Sequence, residues 1–165
     1  MEKQDDFMRL FKPCYKQLWN YILMKVNDRE EAKDILSESI LIAYEKFDSL
    51  QNKDSFTGYI FTISKRLIYG YWNDKKENQR DFNVDIDMLY GNELDAEDRA
   101  DLKEFYNSLE KLPKEQAEVL VLYEIHGLTR KEISEILDTN VLNIKQKLYR
   151  ARKNIKKILG IENDK

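Results

Sequence analysis

The chain has 165 residues, a formal net charge of −3, and only 5 glycines and 2 prolines, a composition that favours helices over a turn-rich β fold. The single cysteine, Cys14, excludes an internal disulfide and a multi-cysteine zinc site. No apolar run approaches the roughly 20 residues that span a bilayer, and the N-terminus lacks the pattern of a secretion signal. We therefore expect a cytoplasmic protein without membrane insertion.

Three amphipathic helices are predicted in the N-terminal part. The first runs over residues 5–26 with either a kink or a late start at Pro13, because proline disrupts a helix interior. Asn27-Asp28 has the side chains of a helix cap and predicts a second helix to about residue 47. Ser55 is expected to cap the third. Helices that bury their apolar faces against one another form a small bundle, which we assign to residues 1–78.

The next segment is acidic. Residues 81–104 carry 9 acidic and 2 basic side chains, and the helical periodicity fades before residue 101. A polar stretch of this composition buries little apolar surface, so we interpret residues 79–100 as an acidic linker, with a helix at its far end as the alternative.

A helix-turn-helix is predicted in the C-terminal part, residues 101–161. A helix over residues 101–111 is followed by one that begins at Pro113 and stops at Gly127. Thr129 and Glu132 have the spacing of a capping box that starts a short helix, and a long helix follows over residues 141–159. A short helix, a tight turn and a longer helix form a helix-turn-helix.

The long helix has the chemistry of a DNA-reading helix. Residues 140–159 carry seven Lys or Arg side chains and no acid. Asn and Gln can pair with adenine, Arg and Lys with guanine, and the other cations with phosphates. An ordinary solvated helix face is the competing interpretation, and the density of cations behind a capped turn favours DNA. The candidates for duplex contact are Asn143, Lys145, Gln146, Lys147, Tyr149, Arg150, Arg152 and Lys153.

Residues 112–152 resemble the promoter-binding fourth region of extracytoplasmic-function (ECF) sigma factors of bacterial RNA polymerase. The family pattern there is L-P, then G-[LM]-[ST], E-I-A and R-A-R. This chain has Leu112-Pro113, Gly127-Leu128-Thr129, Glu132-Ile133-Ser134 and Arg150-Ala151-Arg152. The resemblance implies that this part binds the upstream promoter element.

Residues 31–38 are similar to the A-E-D-x-x-Q-[ED] segment of the same family's second region. In the family this segment binds the clamp helices of the polymerase β′ subunit. The resemblance therefore implies that Asp34, Ser37 and Glu38 contact polymerase, with Ser37 standing where the family usually has Gln.

Residues 56–66 resemble the F-x-x-W-L-x-x-I-A-[RK]-N helix, which in the family binds the melted promoter strand. Interleaved aromatic and cationic side chains suit stacked bases and phosphates. Candidates for this role are Tyr59, Lys65, Arg66, Tyr69 and Trp72, although we interpret Tyr59 as mainly a core residue. Departures from the family pattern at Tyr59, Arg66, Gly70 and Asn73 leave the single-base contacts unassigned.

The resemblance also implies the partners and the fold. We expect an all-α protein of two small helical domains, free as a monomer, that binds the polymerase core through β′ and the β flap, promoter DNA, and an anti-sigma factor. We expect no enzymatic activity, no cofactor and no metal. The only histidine, His126, is interpreted as structural, at a helix end where a cation is favoured.

Two other function classes remain open from the residues. The first is a helix-turn-helix regulator whose N-terminal bundle senses a ligand or dimerises. The second is a helical enzyme, for which the sequence offers no catalytic constellation. A regulator would bind duplex DNA unaided, whereas a sigma factor would require polymerase.

Overall fold

The computed structural model describes residues 2–74 and 84–161, and the secondary structure in these two stretches is helical. The predicted all-α class is therefore confirmed. The helices are α1 (Glu2–Phe11), α2 (Tyr15–Val26), α3 (Arg29–Glu45), α4 (Phe56–Asp74), α5 (Ile86–Tyr90), α6 (Ala96–Leu109), α7 (Lys114–Leu120), α8 (Arg130–Ile136) and α9 (Val141–Leu159).

Helices α1 to α4 form the N-terminal bundle. The predicted kink is present as a short 3₁₀ turn, Lys12–Cys14, between α1 and α2. Asp28 caps α3 by accepting hydrogen bonds from the backbone N–H groups of Glu30 and Glu31. The bundle buries Leu18, Ile22, Ile60 and Phe61 completely, which fixes the outward faces of α3 and α4.

Ser55 does not have the capping role that the sequence suggested. The side chain of Asn52 instead accepts a hydrogen bond from the Asp54 N–H and caps the 3₁₀ turn Lys53–Ser55 that leads into α4. The Ser55 hydroxyl is engaged elsewhere, because it donates to Glu135 on α8 at 2.6 Å.

The helix-turn-helix is built by α8 and α9. Thr129 and Glu132 form the predicted capping box, and the side chain of Asn140 caps α9 through the Asn143 N–H. The helix before it differs from the prediction, since α7 ends at Leu120 and continues as a wider π-helical turn, Val121–Ile125. Gly127 follows that turn by two residues, and its φ of 68° suits glycine.

Part of the predicted acidic linker is helical. α6 begins at Ala96, inside the range assigned to the linker, and Asp95 caps it by accepting from the Asp98 N–H. Acidic side chains stabilise the positive end of a helix, so Asp95, Glu97 and Asp98 favour the start of α6 at the far end of this segment. Arg99 then ties α5 to α6 through the Asp87 carboxylate and the Gly91 carbonyl. Residues 79–83 lie outside the described residues.

The two halves pack directly on each other. α8 lies against α4, and His126 lies against Tyr21 of α2. One continuous cluster of buried apolar side chains runs from Phe7 to Ile155. In this closed arrangement, α8 of the helix-turn-helix covers part of α4.

The core of the helix-turn-helix provides a stability test. Ile144 is 0% exposed whereas Leu142, two residues earlier in α9, is 64% exposed. We expect Ile144→Ala to lower the free energy of unfolding by about 2–5 kcal/mol, because it leaves a cavity. The matched change Leu142→Ala should stay within about 0.5 kcal/mol of wild type. Urea unfolding followed by circular dichroism measures both, and equal losses would contradict the assignment of the buried face.

Candidate functional site

The outward face of α9 is cationic and exposed. Ile144, Leu148, Ala151 and Ile155 are buried on its other side. By helical geometry the opposite side carries Leu142, Gln146, Tyr149, Arg150 and Lys153, and all five are exposed. This face is therefore free to enter a groove of DNA.

The structure divides the predicted duplex contacts into two groups. Lys145, Gln146, Tyr149, Arg150 and Lys153 are exposed, and Tyr149 is 68% exposed. Two of the others are paired within the protein, and the third is half-buried. The Lys147 ammonium lies 3.4 Å from Glu115, the Arg152 guanidinium donates to Glu124 at 2.5 Å, and Asn143 is half-buried in the first turn of α9. The freely presented candidates for base readout are thus Gln146 and Arg150.

Arg130 is a cation that the sequence analysis did not select. Two guanidinium groups contact the ring of Tyr123, with that of Arg130 5.3 Å and that of Arg152 5.1 Å from the ring centre. Cation–π contacts of this kind hold the guanidinium groups in place. The groove beside them is lined by Arg130, Lys145, Leu148, Tyr149, Arg152, Lys153 and Lys156. Arg130 follows the Thr129 cap directly, which is the sequence signal that could have identified it.

The predicted polymerase-binding residues share one exposed face of α3. Asp34, Ser37 and Glu38 are all exposed, and Leu41 lies one turn further along at 57% exposure. An apolar side chain bordered by polar groups is a common arrangement in protein interfaces. Leu41 was absent from the predicted set, although its spacing of seven residues from Asp34 places it on the same side of α3.

The candidates for the melted strand lie in different environments along α4. Arg66 is exposed, and the Lys65 ammonium lies 5.6 Å from the centre of the Tyr69 ring. Tyr59 is half-buried and donates its hydroxyl to the Ala43 carbonyl at 2.8 Å, and burial raises its pKa. The prediction for Trp72 needs correction: its ring is 3% exposed and stacks on Tyr69. Trp72 has a packing role because it lies on the inward side of α4.

A close contact between α4 and α8 covers the start of the α4 surface. A Cβ atom at Gly58 would lie 2.7 Å from the Glu135 Oε1 and 2.9 Å from the Glu135 Cβ, so this approach requires glycine. The Ser55 hydroxyl donates to the other Glu135 oxygen. We call this contact of Ser55 and Gly58 with Glu135 the seam. The groove beside it includes Tyr59 and Arg66, two of the predicted strand contacts.

His126 forms a second contact between the halves. Its ring packs edge-on against Tyr21, with centroids 5.6 Å apart, and the Gln17 amide donates to the His126 carbonyl at 2.9 Å. Burial, with a smaller contribution from Lys25, lowers the pKa of His126 from 6.5 to about 3. The ring is therefore neutral, and the expectation that its position favours a cation is wrong because the side chain is withdrawn from solvent.

The part of the chain that the structure describes bears on possible metal ligands, the Cys14 thiol and the lengths of the helices. Within it, no group of three or more His, Cys, Asp or Glu side chains could hold a metal ion. The Cys14 thiol is buried, and desolvation raises its pKa to about 11. None of the helices there is long and apolar enough to cross a bilayer.

Two glycines of α4 test the seam. Gly58→Ala would place a methyl group against Glu135, so we expect it to lower the free energy of unfolding by about 1–3 kcal/mol. At Gly70 nothing lies within 4 Å of an added Cβ, so Gly70→Ala should stabilise the helix by about 0.5–1 kcal/mol. Urea unfolding measures both, and amide exchange in α8 should accelerate only in Gly58→Ala. Two changes of the same sign would contradict the packing described for the seam.

His126 predicts a dependence of stability on pH. Because the folded pKa lies below the unfolded value of 6.5, only the unfolded chain binds a proton between them. Stability is therefore present above the unfolded pKa and is lost as the pH falls. We expect wild type to lose about 1 kcal/mol more than His126→Leu when the pH drops from about 6 to about 5. Parallel stability curves for the two proteins would show that His126 is not buried as a neutral ring.

Known protein families match both halves of the chain. Sigma-70 region 2 matches residues 10–77, and Sigma-70 region 4 matches residues 102–155. RNA polymerase sigma factor YlaC of Bacillus subtilis is 25% identical over 95% of this chain and 94% of its own length. ECF RNA polymerase sigma factor SigW of the same organism is 26% identical over 92% of this chain and 83% of its own.

Solved structures share the fold across both halves. The sigma factor RpoE from Bartonella quintana, in complex with the anti-sigma factor NepR, matches with a TM-score of 0.69 and 18% identity, covering 96% of this chain and 99% of that one. CnrH, in complex with the cytosolic domain of CnrY, matches with a TM-score of 0.65 and 18% identity over 97% and 91%. With both sigma-70 regions present in order and full-length ECF relatives, the chain belongs to the ECF sigma factors, which direct promoter-specific initiation by RNA polymerase.

Proposed function

We propose that this sigma factor uses three separate surfaces for its three binding partners. The outward face of α9 reads the upstream promoter element, the face of α3 docks on core polymerase, and the α4 surface takes the melted strand. The observation that carries this proposal is a difference in exposure: the α9 face is open, whereas α8 covers the start of the α4 surface. Duplex recognition is thus available in the closed arrangement, and strand capture requires α8 to move.

The α3 face supports docking through its chemistry. Asp34, Ser37 and Glu38 present two carboxylates and a hydroxyl, and Leu41 adds exposed apolar surface. Apolar contact supplies affinity while charge complementarity directs the encounter. The family resemblance of residues 31–38 supports the β′ clamp helices as the partner surface.

The functional division follows the predicted domains. Residues 1–78 act on polymerase and the melted strand, residues 101–161 act on the duplex and the β flap, and residues 79–100 connect them. The cap at Asp95 supports moving the start of the C-terminal unit to Ala96. In the open state the segment between these units sets their separation. The protein acts by binding alone, without covalent chemistry, in the cytoplasm.

An anti-sigma factor is the partner that we propose for the inactive state. The sigma factor RpoE, which shares this fold, was solved with the anti-sigma factor NepR, and CnrH was solved with the cytosolic domain of CnrY. The closed arrangement supports the same kind of control here, because a protein that bridges the halves would keep α8 on α4.

Transcription from a randomised promoter library tests the function. Core polymerase with this chain should produce transcripts that start at fixed distances from one shared upstream motif, and core alone should not. The same experiment with the Arg150→Ala variant tests one exposed candidate for base contact. We expect this variant to give a transcript yield roughly 10- to 100-fold lower than wild type. Absence of motif-dependent transcripts, under conditions where a known sigma factor gives them, would refute the proposal.

A further inference from the structure

Leu142 is an apolar side chain in a place where water should disfavour it. It is 64% exposed, compared with 57% for Leu41 on the proposed polymerase face. It lies in the first turn of α9 beside Val141, which is 44% exposed, and the other residues of the outward face are polar, cationic or aromatic. Ile144 and Leu148 complete the core from the other side of the helix, so Leu142 contributes little to folding.

The position of Leu142 matches the part of a recognition helix that reaches base edges. In helix-turn-helix proteins the N-terminal residues of the second helix contact the bases, whereas later residues lie nearer the backbone. Leu142 precedes Gln146 by four residues, so the two side chains are neighbours on one face. Side chains of a helix also lean towards its N-terminus, which carries Leu142 to the leading end of α9.

The major groove contains one apolar group, the C5-methyl of thymine. A leucine side chain cannot donate or accept a hydrogen bond, so it forms no favourable polar contact with the other atoms of the groove. Gln146 has the complementary ability to pair with adenine through its amide. The surrounding cations of α9 favour a polyanion over an apolar protein surface as the occupant of this face.

We propose that Leu142 is a specificity residue that packs on a thymine methyl in the upstream promoter element, with Gln146 pairing to a neighbouring adenine. This inference rests on the proposed role of α9 as the duplex reader. It predicts that a methyl group, which carries no charge and no hydrogen bond, contributes to promoter choice.

Thymine-to-uracil substitution tests the inference, because it removes only the methyl group. The upstream motif from the library experiment is prepared as duplexes in which each thymine is replaced singly, and holoenzyme affinity is measured by fluorescence anisotropy. For wild type we expect one position at which uracil weakens binding about fourfold, the effect of one buried methyl group. At that position the Leu142→Ala variant should bind the thymine duplex and the uracil duplex equally, with about the affinity that wild type has for the uracil duplex.

Lys153→Ala provides the matched control. Lys153 is exposed on the same face of α9 but lies three turns beyond Leu142, where a phosphate contact is expected. Its loss should weaken all duplexes by a similar factor and leave the sensitivity to uracil intact. Sensitivity retained in Leu142→Ala, or absent in wild type, would overturn the inference while leaving α9 as the reader.

Two other results would also overturn it and are distinguishable. If Leu142→Ala reduced binding to core polymerase and left duplex discrimination unchanged, Leu142 would belong to a protein interface. If the holoenzyme showed no preference among duplexes at all, the proposed function of α9 would fail together with the role of Leu142.

Discussion

The approach of α8 to α4 at Gly58 is the constraint that organises this molecule. Two helices of separate regions come so close that a side chain at residue 58 would collide with Glu135. The same carboxylate accepts the Ser55 hydroxyl, so steric fit and hydrogen bonding act at one place. As a result α8 of the helix-turn-helix lies on part of the surface that we propose for the melted strand.

The distribution of charge explains why a protein of net charge −3 can bind DNA. The acidic side chains before α6 include Asp95, which caps that helix, and Asp87, which holds Arg99. The cations are concentrated on α9. Glu115 of α7 and Glu124 of the π-helical turn form ion pairs with two of them, Lys147 and Arg152, whereas the cations on the outward face have no such ion pair among the described residues. Average charge therefore says little about the surface that meets DNA.

Local features of the fold were predictable from the sequence, and contacts between distant parts were not. The Asp28 cap, the Thr129–Glu132 capping box and the bounds of α9 depend on side chains a few residues apart. Periodicity identified the inward face of α9, but it cannot say which element covers a residue. The seam, the neutral His126 ring and the burial of Trp72 all depend on elements far apart in the chain or on the exact packing of α4, which no spacing rule reports. The fold was therefore more predictable than the site: α9 was located well, whereas Leu142, Arg130 and Leu41 were not selected. The Thr129 cap before Arg130 and the seven-residue spacing of Leu41 from Asp34 were signals for two of them, and only Leu142 required the exposed surface itself.

The most direct test is whether this chain binds core RNA polymerase, measured by size-exclusion chromatography of the mixture at low micromolar concentration. We expect wild type to coelute with core and the double variant Asp34→Ala with Glu38→Ala to do so much less, while its helical circular dichroism is unchanged. Asp101→Ala with Glu104→Ala removes the same charge from exposed positions of α6 and should coelute like wild type. Failure of wild type to coelute where a known sigma factor binds, or undiminished coelution of the Asp34/Glu38 variant, would contradict the account.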